Sequence, residues 1–156
     1  MATSHPQAAV DIDAAIDDVW AVMLDTASYG EWNPFVVKAE CPSPPAVGDP
    51  ITLHVRWANG RGTTSPERIS VVEPPHEVDG VRRATLAYVY EGLPSKLGLV
   101  RGTRYQRLRQ ADGGPTRYET VEEFSGPLVA LAGPGRVEDG FRRHAEALRN
   151  RCESAR

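Results

Sequence analysis

Over residues 51–125 apolar and polar side chains alternate strand after strand, and over residues 137–152 the apolar ones recur instead along one helical face. That switch of period, from two to about 3.6, is the strongest constraint the chain carries. In the first region Ile51, Leu53, Val55 and Trp57 share one face, with Thr52, His54 and Arg56 on the other. In the second, Val137, Phe141, His144, Ala145, Leu148 and Cys152 stand at offsets 0, 4, 7, 8, 11 and 15, the stripe of one long amphipathic helix. An antiparallel sheet with one apolar face needs a cover, and no other segment is large enough to supply it. The expected fold class is α+β: a curved antiparallel sheet of about seven strands wrapped around a long C-terminal helix.

The start of the chain reads as a short strand over residues 9–13 followed by a helix. Ile16, Val19, Trp20, Met23 and Leu24 fall on one helical face, with Asp13 as the expected cap and Asp17 and Asp18 at the positive helix end. A second short helix is expected within TASYGEWNP (26–34), then a strand over 35–40 and a proline-rich surface loop, CPSPPAVGDP. Asn59-Gly60 calls for a hairpin that folds residues 51–57 back onto 63–72. A strict two-residue turn would aim Arg68 inward and Ile69 outward, so either Pro66 marks a bulge or the turn is longer. Pro74-Pro75 reads as an interruption. Further strands are expected over 84–91, 99–109 and 116–125. Residues 1–8 are polar and expected to form a disordered tail, leaving a single domain over 9–153.

At 156 residues, with a net charge of -3 and 40% hydrophobic residues, the chain is the size of one domain. Such a domain hides roughly 68 to 70% of its unfolded surface, so its core needs neither disulfide nor structural metal. The slight acidity argues against a nucleic-acid partner. No run nears the eighteen or so apolar residues of a membrane span, and MATSHPQAA lacks the apolar stretch of a secretory signal. A soluble, cytoplasmic protein is expected, with Cys41 and Cys152 as reduced thiols. His5, His54, His76 and His144 show no metal-ligand spacing, and HExxH, GxSxG, GxGxxG and Walker patterns are missing, so no metal or cofactor is expected.

DIDAAIDDVWAVMLDTASYGEWNPFV near the start, VGDPITLHV and VVEPPHEV in the middle, and EEFSGPL with GFRRHAEALRNR at the end carry a family pattern. Over residues 10–151 the chain resembles the START-like or helix-grip superfamily (SRPBCC), in particular its polyketide cyclase/dehydrase and lipid-transport group. The resemblance implies a sheet gripping the terminal helix, with an apolar cavity between them for a lipid, a polyketide or another small hydrophobic molecule. It implies no reaction, since members range from carriers to aromatase/cyclases and hormone receptors.

Strand parity selects the cavity side. On 116–125 the inward set is Tyr118, Thr120, Glu122 and Phe124. On 99–109 the odd positions hold Arg101, Arg107 and Arg109, which leaves Val100, Gly102, Arg104, Gln106 and Leu108 inward. If the QADGGP loop pairs Leu108 with Tyr118, Gln106 faces Thr120 and Arg104 faces Glu122, and the two charges are expected to pair. The resembled family more often carries histidine and an aromatic residue at the positions of Arg104 and Gln106, and an apolar residue at His144. Arg104, Glu122 and His144 are the candidate catalytic groups, His144 as an acid or base near neutral pH. A structural ion pair and a core histidine are the competing readings. The candidate ligand-binding residues are Trp32, Phe35, Val55, Trp57, Tyr88, Tyr90, Gln106, Tyr118, Thr120, Phe124, Leu128 and Phe141, gated by GLPSKLG (92–98) and LVALAGPG (128–135). The expected function is binding of a small hydrophobic, ring-containing molecule, with polyketide aromatase/cyclase as the alternative. The expected partner is that small molecule, with no nucleic acid and no standing membrane contact, in a monomer or homodimer.

Overall fold

Strand β1 (Thr3–Ser4) and β2 (Gln7–Ile12) lead into helix α1 (Ile16–Leu24), a 3₁₀ turn (Thr26–Glu31), and β3 (Val36–Glu40). A meander follows: β4 (Pro50–Arg56), β5 (Gly62–Val78), β6 (Val81–Tyr90), the single-turn α2 (Leu93–Lys96), β7 (Arg101–Gln110) and β8 (Thr116–Ser125). A second 3₁₀ turn (Val129–Ala132) precedes the terminal helix α3 (Pro134–Ser154). These assignments come from a computed structural model that describes residues 2–155. All strand neighbours are antiparallel in one eight-stranded sheet, running from β3 through β4, β5, β6 and β7 to β8, with β1 and β2 along the far side of β8. This is the expected α+β helix-grip fold. The apolar stripe of α3, from Val137 through Phe141 and Leu148 to Cys152, is buried, each large side chain contributing roughly 1.5–3 kcal/mol.

The described part of the expected tail is ordered. Thr3 pairs with Ser125 and Ser4 with Phe124, and β2 continues in the same register up to Ile12 opposite Thr116. Only the Pro6 region breaks this strand, since proline has no N–H to give, and its carbonyl still accepts the Glu122 N–H at 3.0 Å. The pairing covers what would otherwise be the open edge of β8, which a polar composition does not reveal. Met1 lies outside the described residues. The same broken strand turns the expected seven strands into eight.

Other differences are local. The N-cap position of α1 falls on Ala15 rather than Asp13, and the Ile16 N–H is satisfied from the sheet, by Gln110 Oε1 at 3.0 Å. Strand β5 runs through Pro74-Pro75 with a register shift there, and returns through Asp79 and Gly80, both with positive φ. The other hairpin answers the Pro66 question. Trp57 N–H reaches Arg61 O across a three-residue tip with Gly60 at φ +85°, and Thr52 pairs with Pro66 without a bulge. The longer turn sets Ile51 opposite Glu67, so Ile69 is buried, Arg68 is exposed, and Glu67 goes inward.

Candidate functional site

Between the sheet and α3 lies a cavity of about 360 Å³. Its walls come from Leu53 and Val55 on β4, Phe124 on β8, Phe35 and Val36 at the start of β3, and Val137 and Phe141 on α3. Its mouth is rimmed by Pro94, Leu128, Leu131 and Ala132 from the two segments expected to gate it, and by Leu99 and Arg136 directly after them. Phe35 reaches α3 because residue 140 is glycine: a Cβ there would land inside the Phe35 ring. The polar part of the lining comes from Ser65 and Glu67 on β5, Tyr90 on β6, Arg104 on β7 and Glu122 on β8.

The register of β7 and β8 is the one counted from their loop: Leu108 faces Tyr118, Gln106 faces Thr120, and Arg104 faces Glu122. Arg104 is 2% exposed. It makes no ion pair with Glu122, which corrects the expected pairing; the guanidinium turns toward neutral acceptors. Its Nε donates to Thr120 Oγ1 at 2.8 Å, Nη1 to Tyr88 Oη at 3.3 Å, and Nη2 to Tyr118 Oη at 3.4 Å and His144 Nδ1 at 3.4 Å. Its Cζ lies 4.2 Å from the centre of the Phe141 ring. Gln106 closes the network, donating to Tyr88 Oη at 3.0 Å and accepting from Tyr118 Oη at 2.6 Å. Burial alone lowers the Arg104 pKa, and the surrounding Tyr88, Tyr118 and Glu122 raise it further than burial depresses it. The group is a cation.

His144 sits beneath Arg104, outside the cavity lining. Asn33 Oδ1 accepts the backbone N–H groups of Phe35 and Val36 at 3.0 and 2.9 Å, so its amide nitrogen is the donor aimed at His144 Nδ1, 3.2 Å away. Accepting from both Asn33 and Arg104, Nδ1 carries no proton, and the neutral ring keeps its hydrogen on Nε2. Burial, and then the Arg104 charge, hold the imidazole well below its ordinary 6.5. The ring stacks on Tyr118 at 6.0 Å between centroids and meets the edge of Trp32 at 5.7 Å.

Of the candidate residues, Phe35, Val55, Trp57, Tyr90, Arg104, Glu122, Phe124, Leu128 and Phe141 line the cavity. Trp32, Tyr88, Gln106, Tyr118, Thr120 and His144 do not: Tyr88, Tyr118, Thr120 and His144 bond Arg104, Gln106 bonds the two tyrosines, and Trp32 packs against His144. Parity assigns a face of the sheet but not whether an inward side chain reaches the open space.

Glu67 was missed by sequence reasoning because a two-residue turn would face it outward. The apolar Ile69 two positions on was the available signal, since both must share a face. Burial lifts the Glu67 carboxyl from an ordinary 4.5 to about 7, against the opposing pull of the Ser65 hydroxyl and Arg104. Burial, then the Glu67 charge, hold Glu122 well above 4.5, with Arg104 again opposing. The polar lining thus presents one cation and two carboxyls whose burial favours the protonated form. Among the described residues, no helix is long and apolar enough to cross a membrane.

No curated protein matches the chain. The Zhui aromatase/cyclase from a Streptomyces species is similar in structure, with a TM-score of 0.71 at 19% identity, over 97% of this chain and 94% of that one. The di-domain ARO/CYC BexL has a TM-score of 0.70 at 15% identity over 97% of this chain and 50% of its own, so the chain spans half its length. A START superfamily protein from Mycobacterium smegmatis has a TM-score of 0.66 at 15% identity, over 97% and 99% of the two chains. At these identities the likeness is one of fold. The family model described as polyketide cyclase / dehydrase and lipid transport matches residues 5–153, and the chain belongs to that family.

Proposed function

We propose that this protein binds a small, ring-bearing hydrophobic molecule, lipid-like or polyketide-like, in the cavity between sheet and α3. The observation that carries the reading is the cavity itself: about 360 Å³, apolar along its walls and polar at one end, within the range of small-molecule sites. A two-ring ligand burying roughly 250 Å² of apolar surface gains on the order of 6 kcal/mol, before ordering costs reduce it. Leu93, Leu97 and Leu131 are largely exposed on the segments around the mouth, which suits α2 and the Val129–Ala132 turn as the gate. Two free thiols suit a reducing compartment, and the cytoplasm is part of the proposal. So is a monomer or homodimer.

Native mass spectrometry of the purified protein tests this. A retained small molecule, lost on substituting Val55→Trp to fill the cavity, is the expected result. An empty protein, with neutral naphthalene probes binding equally to the natural chain and the filled variant, overturns it.

A second reading is favoured by the buried Arg104 cluster beside an apolar channel, and by aromatase/cyclases among chains of this fold. In it the cavity folds a poly-ketone chain so that proximity supplies most of the rate, Arg104 polarises a carbonyl, Glu122 moves a proton, and His144 holds Arg104 in place. Arg104→Ala and His144→Ala then cut product formation tenfold or more. Undiminished turnover in both removes these roles.

A further inference from the structure

Two carboxyls share the polar end of the cavity with one buried cation, and neither is hydrogen-bonded to it. Glu67 and Glu122, 8% and 9% exposed, both line the cavity. Among the described residues, Glu67 Oε1 and Glu122 Oε2 have no hydrogen-bond partner; Ser65 Oγ donates to the other Glu67 oxygen at 3.1 Å. Arg104 directs its N–H groups at Thr120, Tyr88, Tyr118 and His144. Arg136 stands at the mouth with its guanidinium 4.2 Å from the centre of the Trp57 ring. Register sets Glu67 opposite Tyr90 and Glu122 opposite Arg104, so the carboxyls approach from the two sides of the β6–β7 pair. The space beside Glu122 is kept open by Gly102, where a Cβ would lie 3.4 Å from Glu122 Oε2 and 3.0 Å from Phe124 Cε1.

Such a site is one positive charge short. A buried carboxylate needs a cation or a proton, and an orphaned acceptor away from water is costly. We infer that the ligand of this cavity carries a protonated amine on its apolar, ring-bearing body, with the ammonium lodged between Glu67 Oε1 and Glu122 Oε2. The inference rests on the reading that the cavity takes a small hydrophobic ligand, and adds its charge. A hydroxyl offers one donor and no charge, whereas an ammonium offers three donors and charge-assisted bonds about twice as strong. A carboxylate or phosphate headgroup would raise the cost of ionising either carboxyl and would find the Arg104 N–H groups already directed at protein acceptors. In the ligand-free protein a proton does what the ammonium does in the complex, so amine binding displaces a carboxyl proton to solvent. The charged and titratable groups around this pair are Arg104 from β7, Tyr88 and Tyr90 from β6, and Arg136 from α3, with Tyr118 and His144 behind Arg104.

Isothermal titration calorimetry with three matched probes tests the inference: 2-(1-naphthyl)ethylamine, 2-(1-naphthyl)ethanol and 1-naphthylacetate, in two buffers of different ionisation enthalpy. The amine is expected to bind at least tenfold more tightly than the alcohol, to release protons, and to bind more tightly at pH 8 than at pH 6, with the acid weakest. Glu67→Gln and Glu122→Gln, confirmed folded by cooperative melting, are each expected to weaken the amine about tenfold and the alcohol by less than threefold. An alcohol that binds the natural chain as well as the amine, or an amine indifferent to both substitutions, overturns the charge assignment and leaves the cavity reading standing. No binding of any probe overturns both.

Discussion

Arg104 owes its place to acceptors that carry no charge. A threonine hydroxyl, two tyrosine hydroxyls and a neutral histidine surround it, and an aromatic ring lies under its plane. Removing the guanidinium strands those partners in a dry interior, so Arg104→Gln is expected to destabilise the protein by about 2–4 kcal/mol in urea unfolding. Arg104→Lys should recover little, because one ammonium cannot reproduce a planar fork that reaches four acceptors. A loss below about 0.5 kcal/mol would mean that the network contributes little to stability. His144 gives a second check. Its pKa in the folded protein lies well below 6.5, so the stability tied to its neutral form is complete above that pH and is lost as pH falls, when the unfolded chain takes up the proton first. NMR resonances of this ring should stay constant from pH 8 to 6, and a midpoint near 6.5 would contradict the geometry. At this scale much was legible in advance: Arg104, Gln106, Thr120 and Glu122 follow from counting residues across one short loop. Their bonding partners did not follow, because the choice depends on tyrosines, Asn33 and His144 arriving from other elements.

Elements meet here through small residues at defined points. The ring of Phe35 lies against Gly140 on α3, where no side chain intervenes, and this contact fixes the distance between the entry to β3 and the terminal helix. Gly140→Ala improves helix propensity by about 1 kcal/mol. It also pushes the ring away, with an expected net loss of about 1–3 kcal/mol from overpacking and a measurable change in probe affinity, since Phe35 and Phe141 share the cavity wall. A stabilised variant with unchanged binding would show that the ring relocates freely. The hairpin at residues 58–60 is the other element on which the site depends. One extra residue in its tip exchanges the faces of β5 and places Glu67 inside, an outcome that Asn-Gly statistics alone do not choose between.

For the whole molecule, the carboxyl pair and His144 act on stability with opposite signs. Glu67 and Glu122 hold protons in the folded state that the unfolded chain releases near 4.5, so the stability they confer is complete below that pH. It is lost as pH rises through about 7, the folded value for Glu67. His144 contributes in full above 6.5, which leaves the carboxyls as the members of this trio that act from pH 6.5 to 8. Unfolding free energy is expected to fall by about 1–3 kcal/mol across that interval, and Glu67→Gln should flatten the slope and raise stability at pH 8. A profile that rises over the same interval in the natural chain would refute the buried pair. A bound amine should flatten it too, because the carboxyls then have a cation in both halves of the range.

What the amino-acid order decided without help was periodic: the two-residue alternation of the strands and the stripe of α3, with the register of β7 on β8 following once their short loop is taken to pair Leu108 with Tyr118. Period and loop length are local quantities, so they can be counted along the chain. Tertiary structure decided the rest, namely the inward turn of Glu67, the strand that Thr3 and Ser4 add to β8, and which inward side chains open on the cavity and which lie beneath Arg104. Those outcomes depend on which hairpin register buries the apolar face of β5, on pairing between residues 3–12 and 116–125, and on which polar groups from separate elements compete for one guanidinium, and none of these is a property of any single segment.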